Sequence, residues 1–153
     1  MSKSLGNCIY LSDEADEVKK KVMSMFTDPN HLRVEDPGRV EGNPVFIYLD
    51  AFCKPEYFAE FLPEYQNLDE LKAHYTRGGL GDVKVKKFLN KVLQAELSPI
   101  RERRKYWEQH LDDVYDILKE GSKVAEAKAA QTLHDVRSAM QINYFDDNLS
   151  LIH

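Results

Sequence analysis

Asp82-Val83-Lys84-Val85-Lys86-Lys87-Phe88-Leu89-Asn90-Lys91-Val92-Leu93 is the stretch on which the fold class turns. Val85, Leu89 and Val92 recur on successive turns, and Leu93 or Glu96 continues the line, which is the period of a helix with one apolar face. Lys84, Lys87 and Lys91 fall away from that stripe, so one helix presents a packing face and a positive face. A strand would alternate with a period of two, and no segment of the chain does so. The expected fold class is all-α, a helical bundle.

Working toward the N-terminus, Asp82 stands where a cap is needed, and Gly78-Gly79 stops a preceding helix over Leu68 to Thr76. Lys54-Pro55 to Pro63 reads as a short helix rich in aromatics. Asn43-Pro44 opens another, with Asn as cap and Pro at the first helical position, and Phe46, Leu49 and Phe52 are expected inside it. Residues 27–43 hold Pro29, Pro37, Gly38 and Gly42 without a sustained period, an irregular loop too long to be idle. Before it, Ser12-Asp13-Glu14 is expected to cap a helix whose stripe is Ala15, Val18, Val22 and Met25. Its acids precede Lys19, Lys20 and Lys21, in the order that suits the helix dipole. Toward the C-terminus, Ser98-Pro99 is expected to restart the chain as a separate helix closed by Gly121. Ser122 to Met140 would then fold back as the second arm of an antiparallel hairpin. Trp107 and Phe46 lie on apolar stripes and are expected in the core rather than as base-stacking platforms.

The composition, 42% hydrophobic and 31% charged over 153 residues, is that of one globular domain rather than two, and not that of a disordered chain. The longest apolar run, Val45-Phe46-Ile47-Tyr48-Leu49, is far short of the roughly 20 residues of a membrane span. No apolar leader follows Met1, so a cytoplasmic home and no membrane partner are expected. Cys8 and Cys53 lack CxxC spacing, and His31, His74, His110, His134 and His153 form no HxxxH pair, so no metal site is expected. Net charge is −5, which argues against a protein that coats nucleic acid through global electrostatics. The charge is unevenly placed, however: residues 76–105 hold nine basic and three acidic side chains, a net +6 against −11 for the remainder. Such an island suits a localised phosphate contact, although solvated helix faces would give the same pattern.

Met1-Ser2-Lys3-Ser4 sets two hydroxyls around an ammonium, a combination suited to a triphosphate whose charge shifts during reaction. With Leu5-Gly6-Asn7 it resembles the KMSKS signature of class I aminoacyl-tRNA synthetases, starting one residue after the signature's first Lys. Phe26-Thr27-Asp28-Pro29, Asp36-Pro37-Gly38, Asn43-Pro44-Val45-Phe46, Gly78-Gly79-Leu80-Gly81-Asp82-Val83-Lys84 and Leu97-Ser98-Pro99-Ile100-Arg101-Glu102-Arg103-Arg104 extend the likeness. Together they resemble the C-terminal part of the bacterial-type tryptophanyl-tRNA synthetases from Met1 to Phe145, while Asp146 to His153 run past the usual end.

The resemblance implies a ligase that activates tryptophan with ATP and Mg²⁺ and esterifies tRNA(Trp), with its nucleotide-binding fold lying before the signature. It implies residues 1–11 as an ATP-contacting loop, 12–145 as a helical anticodon-binding domain and 146–153 as a tail. By position, Lys3 would be catalytic, stabilising the β- and γ-phosphates as pyrophosphate leaves, with Met1, Ser2 and Ser4 shaping the ATP site. A flexible Lys can follow a moving charge as a loop closes. Arg77, Lys84, Lys87, Arg101 and Arg104 are the candidate tRNA contacts, Arg77 reaching a splayed base and the others phosphates. Arg104 could instead sit half buried on the Ile100–Leu118 seam, paired to an acid. The resemblance implies a homodimer for the full-length enzyme. Because the family's dimer interface lies mainly in the catalytic half, this chain alone is expected to be monomeric; it is also expected to be inactive, with residues 1–7 mobile. The rival expectation is a stand-alone all-α interaction module whose basic island meets an acidic partner.

Overall fold

The structure, a computed structural model, describes residues 6–143, all of whose regular elements are helices. These are α1 (Ala15–Met23), α2 (Pro44–Phe52), α3 (Glu56–Phe61), α4 (Leu68–Arg77), α5 (Asp82–Glu108) and α6 (Leu111–Ala139). The all-α expectation holds. The chain divides into two compact units, one ending at Lys105 and the other beginning at Tyr106.

The first unit holds the core. Val18 and Val22 of α1, Phe46 and Leu49 of α2, Leu71 and Tyr75 of α4, and Val85, Leu89 and Val92 of α5 are buried, joined by Phe58 and Leu62 around α3. The stripe expected on α5 and Val18, Val22 and Met25 of the one expected on α1 therefore face inward, whereas Ala15 at its start is exposed; Phe46 is core as expected. Phe52, at the end of α2, is 44% exposed instead. At the start of α2, the Asn43 side chain accepts the Val45 N–H at 3.1 Å and Pro44 occupies the first helical position.

The α1 cap differs from expectation. Glu14 occupies the cap position without a side-chain hydrogen bond. Asp13 turns back, accepting the Tyr10 N–H at 2.8 Å and the Lys21 ammonium at 2.6 Å. Burial would raise the Asp13 carboxyl, but the Lys21 and Tyr10 donors outweigh it and hold the group below the ordinary aspartate value.

Pro99 does not start a new helix; it lies inside α5. Proline removes one backbone donor and crowds the preceding turn, and here a side-chain strap spans the defect. Arg101 Nη2 donates to Gln94 Oε1 at 2.7 Å across the turns that contain Pro99, while Leu97 and Ile100 pack on the core. α4 does stop where expected. Gly78 has φ 88°, and a Cβ there would stand 2.3 Å from the Glu35 carbonyl oxygen, so glycine is required both by backbone and by space.

In the second unit Gly121 lies within α6, so the expected hairpin is absent: Leu111–Ala139 is one continuous helix. Its neighbours supply local bonds, Ser122 Oγ to the Leu118 carbonyl at 2.8 Å and Lys123 to Glu120 at 2.7 Å. The break falls at Gln109-His110. There the Gln109 and His110 N–H groups bond back three residues to Tyr106 and Trp107, and the His110 Nδ1 donates to the Tyr106 carbonyl at 2.7 Å, satisfying an acceptor the helix would otherwise have used. Trp107 is 41% exposed rather than core, edge-on to Tyr106.

Candidate nucleic-acid interface

Two helix ends present the basic side chains. Arg77 is exposed in the last turn of α4, directly before the Gly78-Gly79 turn. That turn is built against the 27–43 loop: the Gly79 N–H donates to the Val34 carbonyl at 2.6 Å and the Gly38 N–H to the Tyr75 carbonyl at 2.9 Å. On α5, Lys84, Lys87 and Lys91 are all exposed, three and four residues apart and therefore on one face. Lys84 pairs with Glu64 at 2.7 Å and lies over the Tyr65 ring, 5.6 Å from its centre. Its ammonium is pushed above the ordinary lysine value chiefly by that hydrogen bond to Glu64. Lys91 lies over the Phe61 ring at 5.8 Å.

Not every member of the basic island faces solvent. Lys86 is buried and donates to the Met23 carbonyl at 3.2 Å. Arg101, expected at the phosphate face, is a correction: it is buried, bonded to Gln94, and its Nη1 has no hydrogen-bond partner among the described residues. Gln94 in turn donates to the Ala15 carbonyl at 2.9 Å, so Arg101 belongs to the packing of α5 on α1. Arg104 is exposed rather than half buried. Met1, Ser2, Lys3 and Ser4 lie outside the described residues, as does most of the segment expected to be mobile.

A polar cluster that sequence reasoning did not assemble lies under the α4–α5 turn. Asp82 Oδ2 accepts the Thr27 hydroxyl at 2.6 Å, and Asp82 Oδ1 accepts the Tyr75 hydroxyl at 2.6 Å and His31 Nδ1 at 3.0 Å. Burial would raise the Asp82 carboxyl, yet the donors from Thr27, Tyr75 and His31 prevail and hold it below its ordinary value. The same burial, with the bond to Asp82, pushes the Tyr75 hydroxyl well above the tyrosine range. Tyr75 is boxed in by the edge-on His31 ring at 4.8 Å and the Phe46 ring at 4.9 Å. The only signal for this cluster in the sequence was Asp82, read there as a helix cap. The arrangement ties the α4–α5 turn to the 27–43 loop. Cys53 is equally inert, since burial raises its thiol to about 11.

Residues 1–98 match the family described as tRNA synthetases class I (W and Y). The chain is 60% identical over 147 residues to a tryptophan–tRNA ligase of Clostridium longisporum, covering 96% of this chain and 40% of that protein. A Lactococcus lactis tryptophan–tRNA ligase is 59% identical over 145 residues, 95% of this chain and 40% of its own length. The chain thus spans about 40% of the length of these curated relatives. Among solved structures, a tryptophanyl-tRNA synthetase from Campylobacter jejuni shares the fold with a TM-score of 0.68 at 24% identity, over 92% of this chain and 42% of that one. A second structure of that enzyme, complexed with ADP and tryptophan, gives the same TM-score.

Proposed function

The chain belongs to the class I tRNA synthetases of the W and Y type, and from that premise we propose that it supplies the tRNA-facing helical part of a tryptophan–tRNA ligase. The observation that carries this reading is the 60% identity, sustained over 147 residues, with a relative of that name. The activity belongs to the assembled enzyme, which joins tryptophan to tRNA(Trp) at the expense of ATP. Residues 1–11 form the ATP-contacting loop in this reading, 12–145 the anticodon-binding domain, and 146–153 a tail.

Physical chemistry assigns the parts. Lys84 and Lys87 meet RNA phosphates, because they stand exposed on one helix face, and Arg77 at the end of α4 and Arg104 further along α5, both exposed, are the other basic contacts. The Glu64 carboxylate must release Lys84 for this, at little cost, since the pair is about half exposed on both sides. Arg101 holds α5 to α1 through Gln94 and takes no phosphate. Lys3, flanked by Met1, Ser2 and Ser4, places an ammonium against the phosphates of ATP as pyrophosphate leaves. In this reading Mg²⁺ accompanies the nucleotide. The chain alone is monomeric and forms no aminoacyl product.

Binding of labelled anticodon stem-loops, one with the CCA triplet and one with that triplet changed, at two salt concentrations, tests the reading. CCA should bind more tightly, and weaken with salt. Lys84→Ala should reduce the slope of log affinity against log salt by about 1. Equal binding of both stem-loops, or none, would mean that recognition needs the part of the relatives this chain does not span, or that the chain is an interaction module with an acidic partner.

A further inference from the structure

The 24–43 loop encloses a cleft of about 330 Å³, within the roughly 300–1,000 Å³ range of small-ligand sites. Its two walls are fixed to each other by a single carboxylate. Asp28 Oδ1 accepts the Asn30 N–H and Asp28 Oδ2 the Arg39 N–H, each at 2.9 Å, so the cleft is formed before anything enters it. Three exposed groups of complementary character line it, two of them paired with each other in solvent. The Phe26 ring is 64% exposed, and the Arg39 guanidinium and Glu41 carboxylate, 3.4 Å apart, are 71% and 89% exposed. An exposed aromatic face beside one set of donors and one strong acceptor suits a flat heterocycle that stacks and presents both donors and acceptors on its edge. A bare phosphate or an acidic peptide is disfavoured, because Asp28 and Glu41 both line the cleft.

The cleft also adjoins the basic face. Thr27, in its wall, donates to Asp82, two residues before Lys84. Asn43, also in its wall, donates to the Tyr75 hydroxyl at 3.5 Å, two residues before Arg77. We propose that this cleft seats one unstacked nucleobase of the RNA strand that lies along α5, with the base face on Phe26 and its edge against the exposed Arg39–Glu41 ion pair, which exchanges its mutual bond for bonds to the base. This inference rests on the RNA-binding reading above and names a contact that the charge pattern alone does not supply. None of the basic island contributes to it.

The test is a double-mutant cycle on the intact chain. Stem-loops carrying an abasic site at each loop position in turn are titrated against the wild-type chain, Phe26→Leu and Glu41→Ala. Both side chains are exposed, so neither substitution removes core packing, and thermal melts verify that each variant folds as wild type. One loop position should stand out: losing its base weakens wild-type binding roughly tenfold and leaves Phe26→Leu unaffected. The salt slope should be the same in wild type and Phe26→Leu, since no phosphate contact is touched. Salt-dependent binding that is identical in all three proteins at every abasic position would overturn the cleft and leave the RNA-binding reading intact. If no stem-loop binds, the RNA-binding reading fails and the cleft falls with it. Free nucleosides, titrated in parallel, separate a base held by its RNA strand from a free nucleoside ligand, and saturable binding of the nucleoside alone would overturn the assignment to RNA.

Discussion

Tyr75→Phe removes one hydroxyl at the centre of the first unit, whose shortest bond is to Asp82 and which also meets His31 Nδ1 at 3.2 Å and the Asn43 amide at 3.5 Å. The substitution keeps the ring, and with it the packing against Phe46, His31 and Gly38, and deletes only the hydroxyl that donates to Asp82 at 2.6 Å. Hydrogen bonds to charged groups contribute about 1.5–3 kcal/mol. The Asp82 side chain is 23% exposed and keeps its bonds to Thr27 and His31, so the low end applies, about 1.5 kcal/mol. With a urea dependence of about 1–3 kcal/mol per molar, the far-UV circular dichroism midpoint at neutral pH should fall by roughly 0.5–1.5 M. The sign of the pH dependence follows from Asp82, whose carboxyl is held below its ordinary value in the folded chain. Its contribution is present above the unfolded carboxyl value of about 3.9 and is lost as pH falls through the lower folded value. Because the phenol is one of the groups that depress it, wild type and variant should converge in acid, and because the Tyr75 phenol is itself raised in the fold the gap should narrow again once pH exceeds the unfolded tyrosine value of about 10. Equal urea midpoints at neutral pH would refute the reasoning, and so would a stability gap that closes as pH rises from about 5 to about 8.

Two further substitutions test the packing and the helix continuity. Gly38→Ala would put a methyl 2.3 Å from Tyr75 Cε1, and with Tyr75 boxed by Phe46 and His31 the loop must shift, so a loss of about 1–3 kcal/mol is expected in the same urea titration. Gly121→Ala should act in the opposite direction. Gly121 is mid-helix, its φ is not positive, and nothing lies within 4 Å of an added Cβ. A gain of about 0.5–1 kcal/mol in helix stability, read as a higher thermal midpoint of the ellipticity at 222 nm, is expected. A loss would indicate a left-handed stop at that position, as a hairpin would need.

The helices whose ends are set by local chemistry were legible in the sequence. Asn43-Pro44 opens α2 because the Asn oxygen finds a free N–H two residues on, and Gly78 closes α4 because no other residue accepts its backbone. Pro99 and Gly121 look like breaks in the sequence for a related reason: each disfavours a helix without forbidding it, and α5 and α6 run through them. The actual break, at Gln109-His110, contains neither Gly nor Pro, and depends on an imidazole capturing a carbonyl. The basic island was legible as charge but not as orientation. Lys86, Leu93, Leu97 and Arg101 lie along one line of α5, which widens the buried stripe beyond Val85, Leu89 and Val92 and takes two of the nine basic side chains inside. The Thr27–His31–Tyr75–Asp82 cluster was illegible because its members come from three segments up to 55 residues apart, and no periodicity connects them.

That cluster explains why the 24–43 loop bears on a surface it does not itself charge. The loop gives the α4–α5 turn its partners: Val34 accepts from Gly79, Glu35 presses on Gly78, and Thr27 and His31 hold the first residue of α5. Arg77 and Lys84 flank that turn, so their separation is set by bonds made with the loop rather than by either helix alone. Electrostatic binding to a phosphate chain depends on the spacing of the charges as well as their number. It follows that a loop substitution which touches no phosphate, such as Gly38→Ala, should weaken RNA binding at fixed salt while leaving the number of basic residues unchanged. Lys84→Ala, by contrast, lowers the salt slope and leaves stability near wild type, because the pair it breaks is solvent-exposed. The two classes of variant separate the geometry of the surface from its charge.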